Sequence, residues 1–303
     1  MNKISEYIKS IGFTFSFRRL KRAILLIILF AIIGAIVFLG YKYKNTDEWK
    51  MKKYTSEVAS KFDIGDKNVI NIVKKDVTLD NKADYVFICG NEVYSTDSSS
   101  NKTIEQYENV TLVLIDGKID IPVVYDINKK FSSDVELKVC DDEQNIYFLV
   151  SDTKGNVSLC KMSSQEGPQD INSRSMDDIV ANTTESFLGY TIYIDKQEES
   201  KIKVTLDNYN KPYLDEHTDE TILDFSENGI DISRYRETYL RDSFSSFELK
   251  DDNNDGILEF VGYQHLLYCL DDTQNKTLGI VKTIFTIEND NKLKFSHVEI
   301  SII

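Results

Sequence analysis

A chain of 303 residues is long enough for one large domain or two small ones. Its formal net charge of −14, from 36 Lys and Arg against 50 Asp and Glu, excludes the basic footprint that nucleic-acid binding requires. Four cysteines (Cys89, Cys140, Cys160 and Cys269) include no C-x-x-C pair, so no zinc site is signalled.

The charge is unevenly divided. Residues 1–44 hold eight basic side chains and one acidic one, leaving 28 basic and 49 acidic for the remainder. Within that first part, Ala23 to Tyr41 (AILLIILFAIIGAIVFLGY) contains no charge over nineteen residues. As a helix it is about 28 Å long, the thickness of a bilayer's hydrocarbon core. "RRLKR" directly precedes it, so the basic flank is expected in the cytoplasm and the rest of the chain outside. A cleaved signal peptide is the rival reading. Its apolar core is usually shorter, with small residues at the cleavage site, whereas Val37, Phe38 and Leu39 are bulky. The expected layout is a cytoplasmic tail (1–22), a transmembrane helix (23–41), a juxtamembrane helical stalk (42–66) and an extracellular β-domain (67–303).

The stalk is read from Met51, Tyr54, Val58 and Phe62, which recur at three- and four-residue steps behind the capping candidates Thr46 and Asp47. From Asn68 the pattern changes to short apolar runs between turn residues. "DYVFICG" (84–90) ends in glycine. "NVTLVLIDGKIDIPVVYD" (109–126) is a hairpin about Asp116-Gly117. "NIYFLVSDTKGNVSLCKM" (145–162) turns about Lys154-Gly155-Asn156, and residues 190–208 alternate through Ile192, Ile194, Ile202, Val204 and Leu206. Three more runs close the chain at 258–270, 276–290 and 292–303. Ten to twelve strands are expected. Two helical interruptions are read, one near Asp177 and one over 231–242, where Ile232, Tyr235 and Tyr239 have helical spacing. The fold class is an all-β ectodomain, propeller-like or of a related multi-hairpin architecture.

"DDNNDGILE" (251–259) sets oxygen-bearing side chains two residues apart, at Asp251, Asn253 and Asp255. Gly256 permits the sharp turn, Ile257 offers its carbonyl, and Glu259 closes the set. An EF-hand places its glutamate at position twelve, on an exiting helix; here that position is Gly262, and the acid is followed by strand-like "FVGY". Ligands that are all oxygen favour Ca²⁺ over a transition metal. A weaker copy stands at 76–84, with Asp76, Thr78, Asp80, the Lys82 carbonyl and Asp84, and with Asn81 in the glycine position. A solvated acidic turn is the alternative for that copy. A third stretch, "CDDEQNIYFLV" (140–150), has lost the alternation and is expected to hold no metal.

The pattern "DxTxDxxxDYVFI", the "NVTLVLIDGK" hairpin and "DDNNDGILEFVGYQ" together resemble the VCBS/FG-GAP-like repeat proteins of Gram-positive bacteria, over roughly residues 70 to 303. Those repeats are similar to integrin α-chain propeller repeats, with a D-x-D-x-D-G-x-x-D/E loop between strands. The resemblance implies a propeller-like architecture, an extracellular address and calcium at loops between strands. The chain departs from the family at Leu79 and Asn81, where glycine is usual, and it has no Phe-Gly or Gly-Ala-Pro signature.

Paired carboxylates could serve sugar hydrolysis, but a general acid needs a raised pKa, and carboxylates on calcium are held ionised. His217, His265 and His297 lie in separate contexts without metal spacing, and no serine or cysteine sits in a nucleophile elbow. The chain is therefore read as a non-catalytic surface module that binds an envelope protein or glycan and holds structural Ca²⁺. The alternative is a structural or signalling subunit acting through its cytoplasmic tail.

Overall fold

A computed structural model describes residues 47–61, 66–96, 101–118, 122–127, 129–142, 145–163, 176–179, 187–208, 213–214, 219–227, 232, 243–271 and 274–303. The expected tail, the apolar 23–41 segment, the 231–242 interruption apart from Ile232, and His217 lie outside them. No described helix is long and apolar enough to cross a membrane.

One helix, α1 (Asp47–Lys61), falls inside the expected stalk. The remaining elements among the described residues are sixteen strands, more than the ten to twelve expected, and they form four antiparallel sheets. Sheet 1 is a meander of β1 (Asn68–Lys75), β2 (Asp84–Thr96), β3 (Lys102–Ile115) and β4 (Pro122–Asp126), with the two-residue β5 (Phe131–Ser132) on β3. Sheet 2 runs β6 (Glu136–Asp141), β7 (Asn145–Ser151), β8 (Val157–Ser163) and β9 (Asp177–Asp178). Sheet 3 is β10 (Thr191–Lys196), β11 (Lys201–Asp207) and β12 (Asp219–Asp224); sheet 4 is β13 (Ser246–Lys250), β14 (Glu259–Asp271), β15 (Gln274–Ile287) and β16 (Leu293–Ile302).

Two of the extra strands have a local cause. Strands of two residues such as β5 and β9 are too short to carry a period-2 signal, and they exist because a longer neighbour offers them a ladder. Asp177 and Asp178, expected near a short helix, instead pair with Lys161 and Cys160 of β8. The longer strands follow the sequence. The 190–208 hairpin pairs Thr191 with Asp207 and Lys196 with Ile202, and all five alternating aliphatic residues are buried.

β7 shows why a continuous apolar run is a strand covered on both faces. Ile146, Phe148 and Val150 point into one core with Val86, Ile88, Leu112 and Leu114 of sheet 1. Tyr147 and Leu149 point into a second core with sheets 3 and 4. That second core is rich in rings. Phe247 stacks on Phe260 at 5.3 Å between centroids, and Phe187 contacts both Phe244, at 5.7 Å, and Phe285, at 5.6 Å.

First strands of different sheets are tied by lysines. Lys75 Nζ reaches the Val139 carbonyl at 3.5 Å and pairs with Asp141, and Lys138 Nζ reaches the Phe247 carbonyl at 3.4 Å. Sheets 3 and 4 are joined by the buried Gln264. Its amide donates to the Tyr190 carbonyl at 2.8 Å and accepts from the Tyr190 N–H at 2.9 Å. Closure of the sheets into a ring is not evident among the described residues. Cys89, Cys140 and Cys160 are free thiols.

Candidate metal centre

Both acidic stretches occupy the same place in their meanders. Residues 76–84 link β1 to β2, and residues 251–259 link β13 to β14. In each, the strand that follows starts on the final acid, so the ladder itself positions that carboxylate: Asp84 pairs with Lys75, and Glu259 with Lys250.

The two loops share one hydrogen-bond pattern, residue for residue. The first acid accepts from the fifth N–H: Asp80 to Asp76 Oδ1 at 3.2 Å, Asp255 to Asp251 Oδ1 at 3.0 Å. Its other oxygen accepts from the sixth N–H, Asn81 at 2.9 Å and Gly256 at 3.0 Å. The fifth acid accepts from the seventh N–H, Lys82 and Ile257, both at 2.8 Å. The ninth accepts from the second N–H, Val77 at 2.7 Å and Asp252 at 2.8 Å. Left-handed backbone occurs at the same two positions, the fourth (Leu79, φ 60°; Asn254, φ 61°) and the sixth (Asn81, φ 67°; Gly256, φ 85°). Glycine and asparagine reach that region with little strain.

Within 251–259 the side chains converge. Asn253 Nδ2 donates to Asp255 Oδ2 and to Glu259 Oε1, each at 3.0 Å. Glu259 is 4% exposed, so its carboxylate sits under the loop. In 76–84, Asp84 is fully buried. It accepts from the N–H groups of Val77, Thr78 (2.9 Å) and Gly117 (2.8 Å), the last from the turn after β3. Burial pushes the Asp84 carboxyl above its ordinary value, and those three donors oppose the rise. Gly117 is required by contact: a Cβ there would lie 2.4 Å from the Ala83 carbonyl oxygen.

The residues fit an oxygen-seeking cation. Asp80 Oδ2 is shielded from solvent and accepts no hydrogen bond in the structure. A shielded carboxylate oxygen without a partner is costly, and a cation at that oxygen removes the cost. Thr78, the third-position residue of the same loop, is 1% exposed. Asp76, Asp80 and Asp84 share one loop, and Asp251, Asn253, Asp255 and Glu259 another, but neither loop brings three acidic or imidazole groups within 4.8 Å of one another; among the described residues Asp252, His297 and Glu299 are so gathered. Lys82 and Ile257 are exposed, and their expected contribution is a main-chain carbonyl.

Two contacts were not legible in the sequence. One is the Gly117 clamp on Asp84. The other gathers Asp252, His297 and Glu299, so His297 is not isolated as its sequence context suggests. Lys282 Nζ lies between the acids, 2.6 Å from Asp252 Oδ1 and 3.1 Å from Glu299 Oε2. Burial opposes the charge on Lys282, but its two acidic partners outweigh that and hold the ammonium above its ordinary value. Asp252 is held below the usual carboxylate range, chiefly by Lys282. This ammonium stands outside the 251–259 side-chain set and braces the loop from its second residue. His265, by contrast, is an exposed residue of β14, as its context suggested.

No family model, curated protein or solved structure matches the chain.

Proposed function

We propose that the chain is a single-pass, membrane-anchored extracellular β-domain that holds structural Ca²⁺ at residues 76–84 and 251–259. It acts as a non-catalytic binding module at the cell surface, toward an envelope protein or glycan. The observation that carries the metal reading is the repetition, in two loops far apart in sequence, of the same four backbone-to-carboxylate bonds and the same two left-handed positions. A propeller-like arrangement of the sheets is favoured by three features: the meanders follow one another in chain order, the acidic loops recur between first and second strands, and lysines tie β1 to β6 and β6 to β13. The surface address rests on the apolar 23–41 segment and its basic flank.

When bound, calcium removes the mutual repulsion of the gathered carboxylates and ties each loop to the strand it enters. The chain's own part is to present Asp251, Asn253, Asp255 and Glu259, together with the Ile257 carbonyl, on a backbone already turned to receive an ion. The Asn253 amide turns its oxygen inward where its nitrogen now bridges Asp255 and Glu259. A ligand that binds only the folded state stabilises it by about 2.7 kcal/mol at a hundredfold excess over Kd. The full chain in mild detergent is therefore expected to melt at a higher temperature in millimolar calcium than in EDTA. Asp255→Ala removes most of the rise contributed by its loop. Identical melting curves in calcium and EDTA would sink the metal reading.

A further inference from the structure

Strand β2 is buried on two faces. Val86 and Ile88 point into the core shared with sheet 2, so Tyr85 and Phe87 point to the other side of sheet 1. That side is also shielded from water. Tyr85 is 8% exposed and Phe87 0%, and their ladder partners Ile72 on β1 and Val113 and Ile115 on β3 are buried with them. None of these five residues belongs to either of the two cores described above.

Helix α1 lies on this face. Tyr54, Glu57 and Val58 are spaced three and four residues apart and so share one side of the helix. The Tyr54 ring meets Tyr85 edge-on at 6.0 Å between centroids, and Val58 is fully buried. From Tyr54 onward the chain forms one compact unit with the sheets. Lys74 of β1 catches the helix. Its ammonium stands 4.5 Å from the centre of the Tyr85 ring and 5.5 Å from that of Tyr54, a cation held between two aromatic rings. It also donates to the Tyr85 hydroxyl at 3.0 Å, and that hydroxyl donates in turn to Glu57.

The catch is one rung from the 76–84 loop. Lys74 pairs with Tyr85, and the next pair, Lys75 with Asp84, closes the loop. Consecutive strand residues face opposite sides. Asp84 therefore anchors the loop on one face, through the N–H groups of Val77, Thr78 and Gly117, while Tyr85 holds the helix on the other. Backbone motion that displaces one displaces its neighbour.

We propose that residues 54–61 form a latch on sheet 1, coupled through Asp84 and Tyr85 to the 76–84 loop, so that helix and loop loosen together. The inference goes beyond the surface-module reading and holds whether or not the loop carries calcium. The helix is then a working part of the β-domain and not a spacer in front of it.

The test is hydrogen exchange, read by mass spectrometry, on the full chain in mild detergent and EDTA. Segments 54–61 and 76–84 are expected to exchange well below the rate of unstructured chain. Glu57→Gln and Tyr85→Phe each break the catch and are expected to speed exchange roughly fivefold in both segments, while 190–208 in sheet 3 keeps its native rate. Asp84→Asn, made at the loop, is expected to speed 54–61 as well. Exchange of 54–61 at the unstructured rate in the native chain overturns the latch. Acceleration of 54–61 alone by Glu57→Gln, or no change in either segment, overturns the coupling. Where Tyr85→Phe loosens 190–208 too, Glu57→Gln decides, because it alters only the helix side of the catch. With EDTA present throughout, none of these outcomes bears on the metal reading.

Discussion

The loops at 76–84 and 251–259 reach one geometry by different means. The later loop uses residues suited to each position: Asn254 and Gly256 at the two left-handed sites, and an exposed rim. The earlier one sets Leu79 at a left-handed site, with the side chain 44% exposed, and asparagine in the glycine position. A left-handed residue with a full side chain costs about 1–2 kcal/mol. What offsets it is the ninth residue. Asp84 is fully buried and held by three backbone donors from two segments, whereas Glu259 accepts one backbone bond and one from Asn253. A loop with poor local propensity is thus retained where a long-range clamp compensates, and a loop with good local propensity needs less support.

The largest test of that contrast removes the ninth residue from each loop. Asp84→Ala strands three N–H groups, two of them buried, and is expected to cost about 3–5 kcal/mol, against about 1–2 kcal/mol for Glu259→Ala, in chemical unfolding without calcium. Equal costs would break the comparison. Next in size are the left-handed sites. Gly256→Ala is expected to cost about 1 kcal/mol from backbone strain alone, because a Cβ there meets nothing within 4 Å. Leu79→Asn is expected to stabilise by up to about 1 kcal/mol, and a loss of stability would show that Leu79 is held by packing and not merely tolerated. Smallest is the brace. Lys282→Met is expected to lower stability by less than about 1 kcal/mol and to change the calcium response of the 251–259 loop only. A change in both loops would show that they are coupled.

Much of this was legible from residue order. Alternation in 190–208 predicted its pairing, and the turn about Lys154-Gly155-Asn156 predicted the β7–β8 hairpin, though not which core each side chain would enter. The spacing of Asp251, Asn253 and Asp255 with Gly256 predicted a turn, and the Asn81 substitution for glycine was readable as a left-handed position. The left-handed Leu79 was not readable, since leucine carries no preference for it. Nor was β9, whose two residues have no pattern of their own.

Residue order by itself determined the strand-rich class, the charge division and the places of the two acidic turns, because periodicity and residue spacing act over a few neighbouring residues. Tertiary structure alone decided that Gly117 would clamp Asp84, that Lys282 and His297 would meet Asp252, and that Gln264 would join sheets 3 and 4. Those depend on which sheets come together. That choice is made by burial summed over whole faces, which no short stretch of chain encodes.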